Sequence, residues 1–201
     1  MEKTAVEKNT RAKKMMLWFG MISMTMTFAG LTSAYVVSSS RADWLTSFEL
    51  PTVFLYSTLL IFLSSITFFL GKKALNQGNV LLQKVFLWAT LGLTLLFVYF
   101  QFTGFSQVIE QGYYFTGAAS SITTSFLYIL VLLHLAHVFG GLVILLVVLF
   151  QTYRNPYTPE DKLGYELAEL FWHFLDFLWI YLYVFVSVYS QKKYYFCIIK
   201  I

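Results

Sequence analysis

Cysteine is almost absent from this sequence: Cys197 is the only one in 201 residues. A lone thiol closes no disulfide within the chain. It also excludes the paired and clustered cysteines that build zinc, iron–sulfur and CxxC redox sites. Charge is scarce too. Asp, Glu, Lys and Arg make up 12% of the chain, about half of the roughly 25% that a soluble domain carries. The polar stretches are too short to hold a soluble catalytic domain. Proline is limited to Pro51, Pro156 and Pro159, all in loops or at the ends of apolar runs, so no run is broken at its middle.

Apolar residues are abundant, at 58%, and they fall in blocks. Crossing a bilayer takes about 20 apolar residues per helix. Five blocks qualify, over residues 15–39, 50–70, 85–105, 125–150 and 170–190. They are continuous, whereas barrel strands alternate over about 10 residues. The sequence therefore predicts an all-α integral membrane bundle of five transmembrane helices. A basic tail, residues 1–14, precedes it, and a short basic-aromatic tail, residues 191–201, follows it. The first run is too long for a signal-peptide core of about 7–15 residues, so it is read as a retained span. Gly30 with Ala34 and Ala136 with Gly140 are small-xxx-small pairs of the kind that lets helices approach closely.

Lysine and arginine set the orientation. Lys3, Lys8, Arg11, Lys13 and Lys14, then Lys72, Lys73 and Lys84, then Arg154 and Lys162 put ten basic residues on one side. Arg41, Lys192, Lys193 and Lys200 put four on the other. The positive-inside rule then predicts the N-terminus in the cytoplasm and the C-terminus outside. The loop over residues 106–124 holds no Lys or Arg, and Tyr113, Tyr114 and Phe115 in it suit the membrane interface. Thr158-Pro159-Glu160-Asp161 reads as a capped start of the fifth helix.

Few ionisable side chains lie inside or at the edge of the spans: His134 and His137 in the fourth, and Glu166, Glu169, His173 and Asp176 along the fifth helix. A charge at the bilayer centre costs at least about 2.5–3.5 kcal/mol, so such groups face the protein and have partners. The 3-4-3 spacing of the last four places them on one helical stripe, which Tyr183 continues. Trp172 and Trp179 lie on a neighbouring face. A metal site shared by the three histidines is disfavoured by depth. His137 lies about 20 Å from the cytoplasmic edge and His173 about 6 Å, at 1.5 Å per residue. His134 and His137 alone lack a third ligand. The six groups read mainly as an interhelical hydrogen-bond network that fixes packing, with a proton relay as the competing reading. No residue is assigned as catalytic or metal-binding.

Two segments carry a family resemblance. His134-Leu135-Ala136-His137-Val138-Phe139-Gly140-Gly141-Leu142 resembles the H-x-x-H-V-x-x-G segment of cytochrome c oxidase subunit III. Phe171-Trp172-His173-Phe174-Leu175-Asp176-Phe177-Leu178-Trp179 resembles that family's Y-W-H-F-V-D-x-V-W segment, with Phe171 in place of its tyrosine. Glu166 stands where the family has a glutamate one to two turns earlier. Weaker echoes are Phe28-Ala29-Gly30 with Ala34-Tyr35, and Leu50-Pro51-Thr52 with Leu63-Ser64-Ser65.

The resemblance implies the short five-helix bacterial form, which lacks the first two of seven helices. It implies an accessory subunit with no cofactor of its own, beside a partner catalytic subunit that holds haem and copper. Implied partners are oxidase subunits I and II, membrane lipids and further respiratory complexes, with no nucleic acid. The implied role is to support electron transfer to oxygen and the coupled proton uptake of a proton-pumping complex in the bacterial inner membrane. Bound phospholipid is expected, with Arg41, Trp44 and Trp172 as contact candidates. One departure matters: many members carry a buried glutamate where this chain has Met24, so that carboxylate's role does not carry over. The alternatives from other classes are a small proton channel or transporter, and a quinol- or haem-binding cytochrome subunit.

Overall fold

The computed structural model describes residues 2–41, 44–45, 50–117, 121–154, 157–158 and 162–198, and the side chains of those between 7 and 189. Five helices make up the described chain: α1 Glu2–Ser38, α2 Val53–Asn76, α3 Val80–Glu110, α4 Ile122–Arg154 and α5 Leu163–Ile198. Each contains a segment long and apolar enough to cross a membrane.

The helices overrun the apolar blocks. The basic stretch before residue 15 continues α1, α3 begins five residues before its block, and α4 runs on to Arg154. Hydropathy marks only the lipid-facing length, while i→i+4 hydrogen bonding continues into the wet interface. The second block differs at its start, because Leu50, Pro51 and Thr52 precede the helix. Phe54 N donates to Pro51 O at 3.1 Å and opens it. Of the expected capped start of α5, Pro159, Glu160 and Asp161 lie outside the described residues; the helix is described from Leu163.

A tight turn joins α2 to α3. Gly78 takes φ +73°, a left-handed conformation that glycine adopts without Cβ strain. Asn79 N reaches back to Ala74 O at 3.0 Å and Gly78 N to Leu75 O at 3.0 Å, which satisfies carbonyls at the end of α2. Asn79 Oδ1 then accepts from Leu82 N at 3.1 Å and caps α3. The result is an antiparallel hairpin.

Helix α5 is the hub: it packs on α1, α2 and α4, while α3 bridges α2 and α4. Towards the α2–α3 turn, Phe68, Leu87, Leu145, Tyr165 and Trp172 form one core. Towards the opposite end, Phe54, Phe97, Phe105, Tyr128 and Trp179 form another. The close approaches are not at the predicted small-residue pairs. Gly30 and Gly140 have no neighbour within 4 Å of a Cβ position. Helices instead meet side chains at Gly71, under the Tyr165 hydroxyl, at Gly104, under Phe54, and at Gly141, where Leu175 Cδ1 would lie 2.8 Å from a Cβ.

Candidate functional site

Three members of the stripe on α5, Glu166, Glu169 and His173, pair with residues of other helices. Glu166, near the start of α5, receives Lys14 of α1 at 3.0 Å, with Lys162 at 3.9 Å on its other oxygen. One turn deeper, Glu169 is 5% exposed and pairs with Lys72 of α2. Its second oxygen stands 3.8 Å from His173 Nε2. His173 Nδ1 lies 2.6 Å from Ser65 Oγ of α2. With the serine hydroxyl donating to Nδ1, the ring proton sits on Nε2 and faces Glu169. A polar chain Lys72–Glu169–His173–Ser65 therefore runs between α2 and α5.

Asp176 comes next on the stripe and differs. It is 4% exposed, and neither carboxyl oxygen has a hydrogen-bond partner among the described residues. Ser65 faces it, yet closes its short contact on His173.

Beside the stripe, α2 provides acceptors for the aromatic groups of α5. Tyr165 Oη donates to Phe68 O at 3.1 Å, Trp172 Nε1 to Ser64 Oγ at 3.2 Å, and Trp179 Nε1 to Thr58 Oγ1 at 3.0 Å. Gln101 of α3 donates to Ser57 Oγ at 2.8 Å. Sequence reasoning missed this α2 contribution, and with it Lys14, Lys72 and Ser65. The available signal was the seven-residue spacing of Ser57 and Ser64, continued by Lys72 eight residues on.

The histidines of α4 do not join the stripe by hydrogen bonds. His134 is fully buried with no partner on either ring nitrogen among the described residues. Its ring centre lies 5.1 Å from Trp179, 6.4 Å from Phe97 and 6.5 Å from Phe28. It faces Trp179 of α5 through an aromatic surface. His137 Nδ1 lies 2.7 Å from the Leu133 carbonyl oxygen, within its own helix. Among the described residues no three His, Cys, Asp or Glu side chains are grouped to hold a metal. Two of the lipid-contact candidates are buried: Trp44 is 8% exposed against Tyr35, and Trp172 is 3% exposed. Little of either ring is left for a lipid. Arg41 follows the end of α1, with its N–H on Ser38 O at 3.1 Å.

A groove of about 560 Å³ opens between α1 and α2 above the start of the stripe, lined by Lys14, Trp18, Phe69, Lys72, Glu169 and His173 among others. The charged end of the stripe is thus reachable from outside the bundle, while Asp176 and His134 are sealed.

Comparison with known proteins agrees with this architecture. The family profile described as "Cytochrome c oxidase subunit III" matches residues 14–191. Cytochrome c oxidase subunit 3 of Alkalihalophilus pseudofirmus is 30% identical over 172 residues, covering 84% of this chain and 82% of that protein. Cytochrome bo(3) ubiquinol oxidase subunit 3 of Buchnera aphidicola subsp. Acyrthosiphon pisum is 30% identical over 185 residues, covering 90% and 88%. The corresponding bo(3) subunit of Pseudomonas aeruginosa is 28% identical over 167 residues, covering 81% and 78%. With a match across all five membrane helices, the chain belongs to the cytochrome c oxidase subunit III family.

Proposed function

We propose that this chain is the accessory third subunit of a proton-pumping haem–copper respiratory oxidase and carries no redox centre itself. Haem and copper reside in its partner, subunit I, and subunit II completes the core. The complex sits in a bacterial cytoplasmic membrane with the Lys-rich end of this bundle facing the cytoplasm, and it retains phospholipid. The observation that carries the reading is how the polar residues are used. Lys14, Lys72, Glu166, Glu169 and His173 pair across helices, while His134 and His137 of α4 both lie against the Phe28 ring and have no hydrogen bond to the stripe among the described residues. These residues tie α1 and α2 to α5, which supports a packing role for them. The relatives are named for both cytochrome c and ubiquinol oxidases, and the donor follows from the partner subunits.

The test is purification in mild detergent through a tag on this chain. Haem and two larger oxidase subunits are expected to co-purify, and this chain, once separated, should show no Soret band. A Soret band that stays with the isolated chain overturns the proposal in favour of a haem-binding cytochrome subunit. Proton flux in vesicles from this chain alone overturns it in favour of a channel.

A further inference from the structure

The basic groups at the Lys-rich end of the bundle fall into two kinds. Lys14, Lys72 and Lys162 are neutralised in place by Glu166 and Glu169. Lys84 and Arg154, like Lys8, Arg11, Lys13 and Lys73, are not joined to any carboxylate among the described residues. Helix α4 contains no Asp or Glu, and the only one in α3 is Glu110, about 39 Å away along the helix at 1.5 Å per residue.

Lys84 stands against an aromatic pair, and Arg154 follows one of its members, Tyr153, in the chain. Lys84 Nζ stands 4.3 Å from the centre of the Tyr153 ring. Trp88, one turn along α3 from Lys84, donates its indole N–H to Tyr153 Oη at 3.2 Å. Because Tyr153 oxygen accepts there, its own O–H is free to donate outward. Both rings point away from the bundle, with Trp88 52% and Tyr153 55% exposed. Val85, Val147 and Phe150 beside them are exposed and apolar. Among the described residues the patch thus presents positive charge without a carboxylate partner, a polar-tipped aromatic pair and bare apolar surface, near the start of α3 and the end of α4. Trp and Tyr settle at headgroup level, and unneutralised Lys and Arg at that level draw anionic lipid.

We infer that the α3–α4 face binds the headgroup of an anionic phospholipid, with Lys84 and Arg154 on the phosphate and the Tyr153 hydroxyl donating to it. The acyl chains lie on Val85, Val147 and Phe150. An ethanolamine headgroup is disfavoured, since it brings an ammonium against the same two cations. The inference rests on the phospholipid part of the function proposed above, and gives that lipid a charge and a place.

The experiment uses the intact complex, purified through this chain and exchanged into nanodiscs of phosphatidylethanolamine with a minority of phosphatidylglycerol. Native mass spectrometry counts the retained lipid of each class. Lys84→Gln with Arg154→Gln is compared with Lys8→Gln and Arg11→Gln, which removes the same charge from the N-terminal segment. The patch variant is expected to retain phosphatidylglycerol more weakly, by about fivefold for each charge removed. Phosphatidylethanolamine retention and oxygen consumption should not change. Equal loss in the control pair, or no loss in the patch variant, overturns the inference. So does loss of a protein subunit from the patch variant with lipid retained. If the wild-type complex retains neither lipid, the broader lipid reading falls with it; if it retains lipid with no preference for phosphatidylglycerol, only the present inference falls. A photoreactive phosphatidylglycerol provides a second readout on the wild type. Adducts are expected within residues 81–88 and 147–154, and adducts confined elsewhere overturn the site.

Discussion

The polar groups buried along α4 and α5 fall into two halves that are treated in opposite ways. Glu166, Glu169 and His173 each have a partner on another helix. Two residues deeper in the bundle, Asp176 and His134, have none among the described residues and are sealed among aromatic rings and neighbouring helices. The difference lies in what surrounds them. Near the helix ends Lys14 and Lys72 reach in from the interface, because a long flexible stem lets an ammonium stay near water while pairing inward. No such side chain starts at the depth of Asp176, so a group there depends on hydroxyls, and Ser65 is already occupied by His173. Burial by itself is therefore a poor guide to how much a polar residue holds the bundle together.

Substitutions can break that contrast. Lys72→Ala should have the largest effect, because it leaves Glu169 buried without its cation, a loss of about 3–5 kcal/mol. It should appear as a lowered thermal midpoint of the detergent-solubilised complex. Adding Glu169→Gln should restore most of the loss; a double variant as unstable as the single one would refute the pairing argument. Gly141→Ala comes next, at about 1–3 kcal/mol, since Leu175 must yield at the α4–α5 contact. The matching change Gly140→Ala, where nothing lies within 4 Å, should be neutral in the same assay. Trp179→Phe keeps the ring packing and removes the hydrogen bond to Thr58, at a cost of about 0.6 kcal/mol, the average for interhelical hydrogen bonds in membranes. Asp176→Asn should cost least, under about 1 kcal/mol, because no observed partner is lost. A loss as large as that of Lys72→Ala would mean that a neighbouring subunit or an internal water completes Asp176, and would erase the contrast between the halves.

The periodic features were legible in the sequence. Continuous apolar runs located all five helices, and the 3-4-3 spacing of Glu166, Glu169, His173 and Asp176 located the stripe. Features set by the rotation of one helix against another were not legible. Nothing in α2 read alone says that Ser65 faces His173 or that Lys72 meets Glu169. The glycine error has the same origin. Gly30 and Gly140 have the right spacing but face outward, whereas Gly71, Gly104 and Gly141 are close approaches because Tyr165, Phe54 and Leu175 of neighbouring helices fill the space above them. The helices outrun the apolar spans for a different reason, since lipid contact stops several residues before backbone hydrogen bonding does.

The way α1 is held has a consequence for the order of assembly. Its backbone packs closely only on α4 and α5, the last two helices to leave the ribosome. At about 5–20 residues per second, the first helix waits in the bilayer for on the order of ten seconds before its docking surface exists, while α2 and α3 pair immediately beside it. The hairpin can therefore mature before the chain is complete, and the N-terminal helix cannot. A chain stopped before α5 would leave α1 without Glu166 for Lys14 and without Tyr181 for Thr32, free to drift or to be extracted by quality-control proteases.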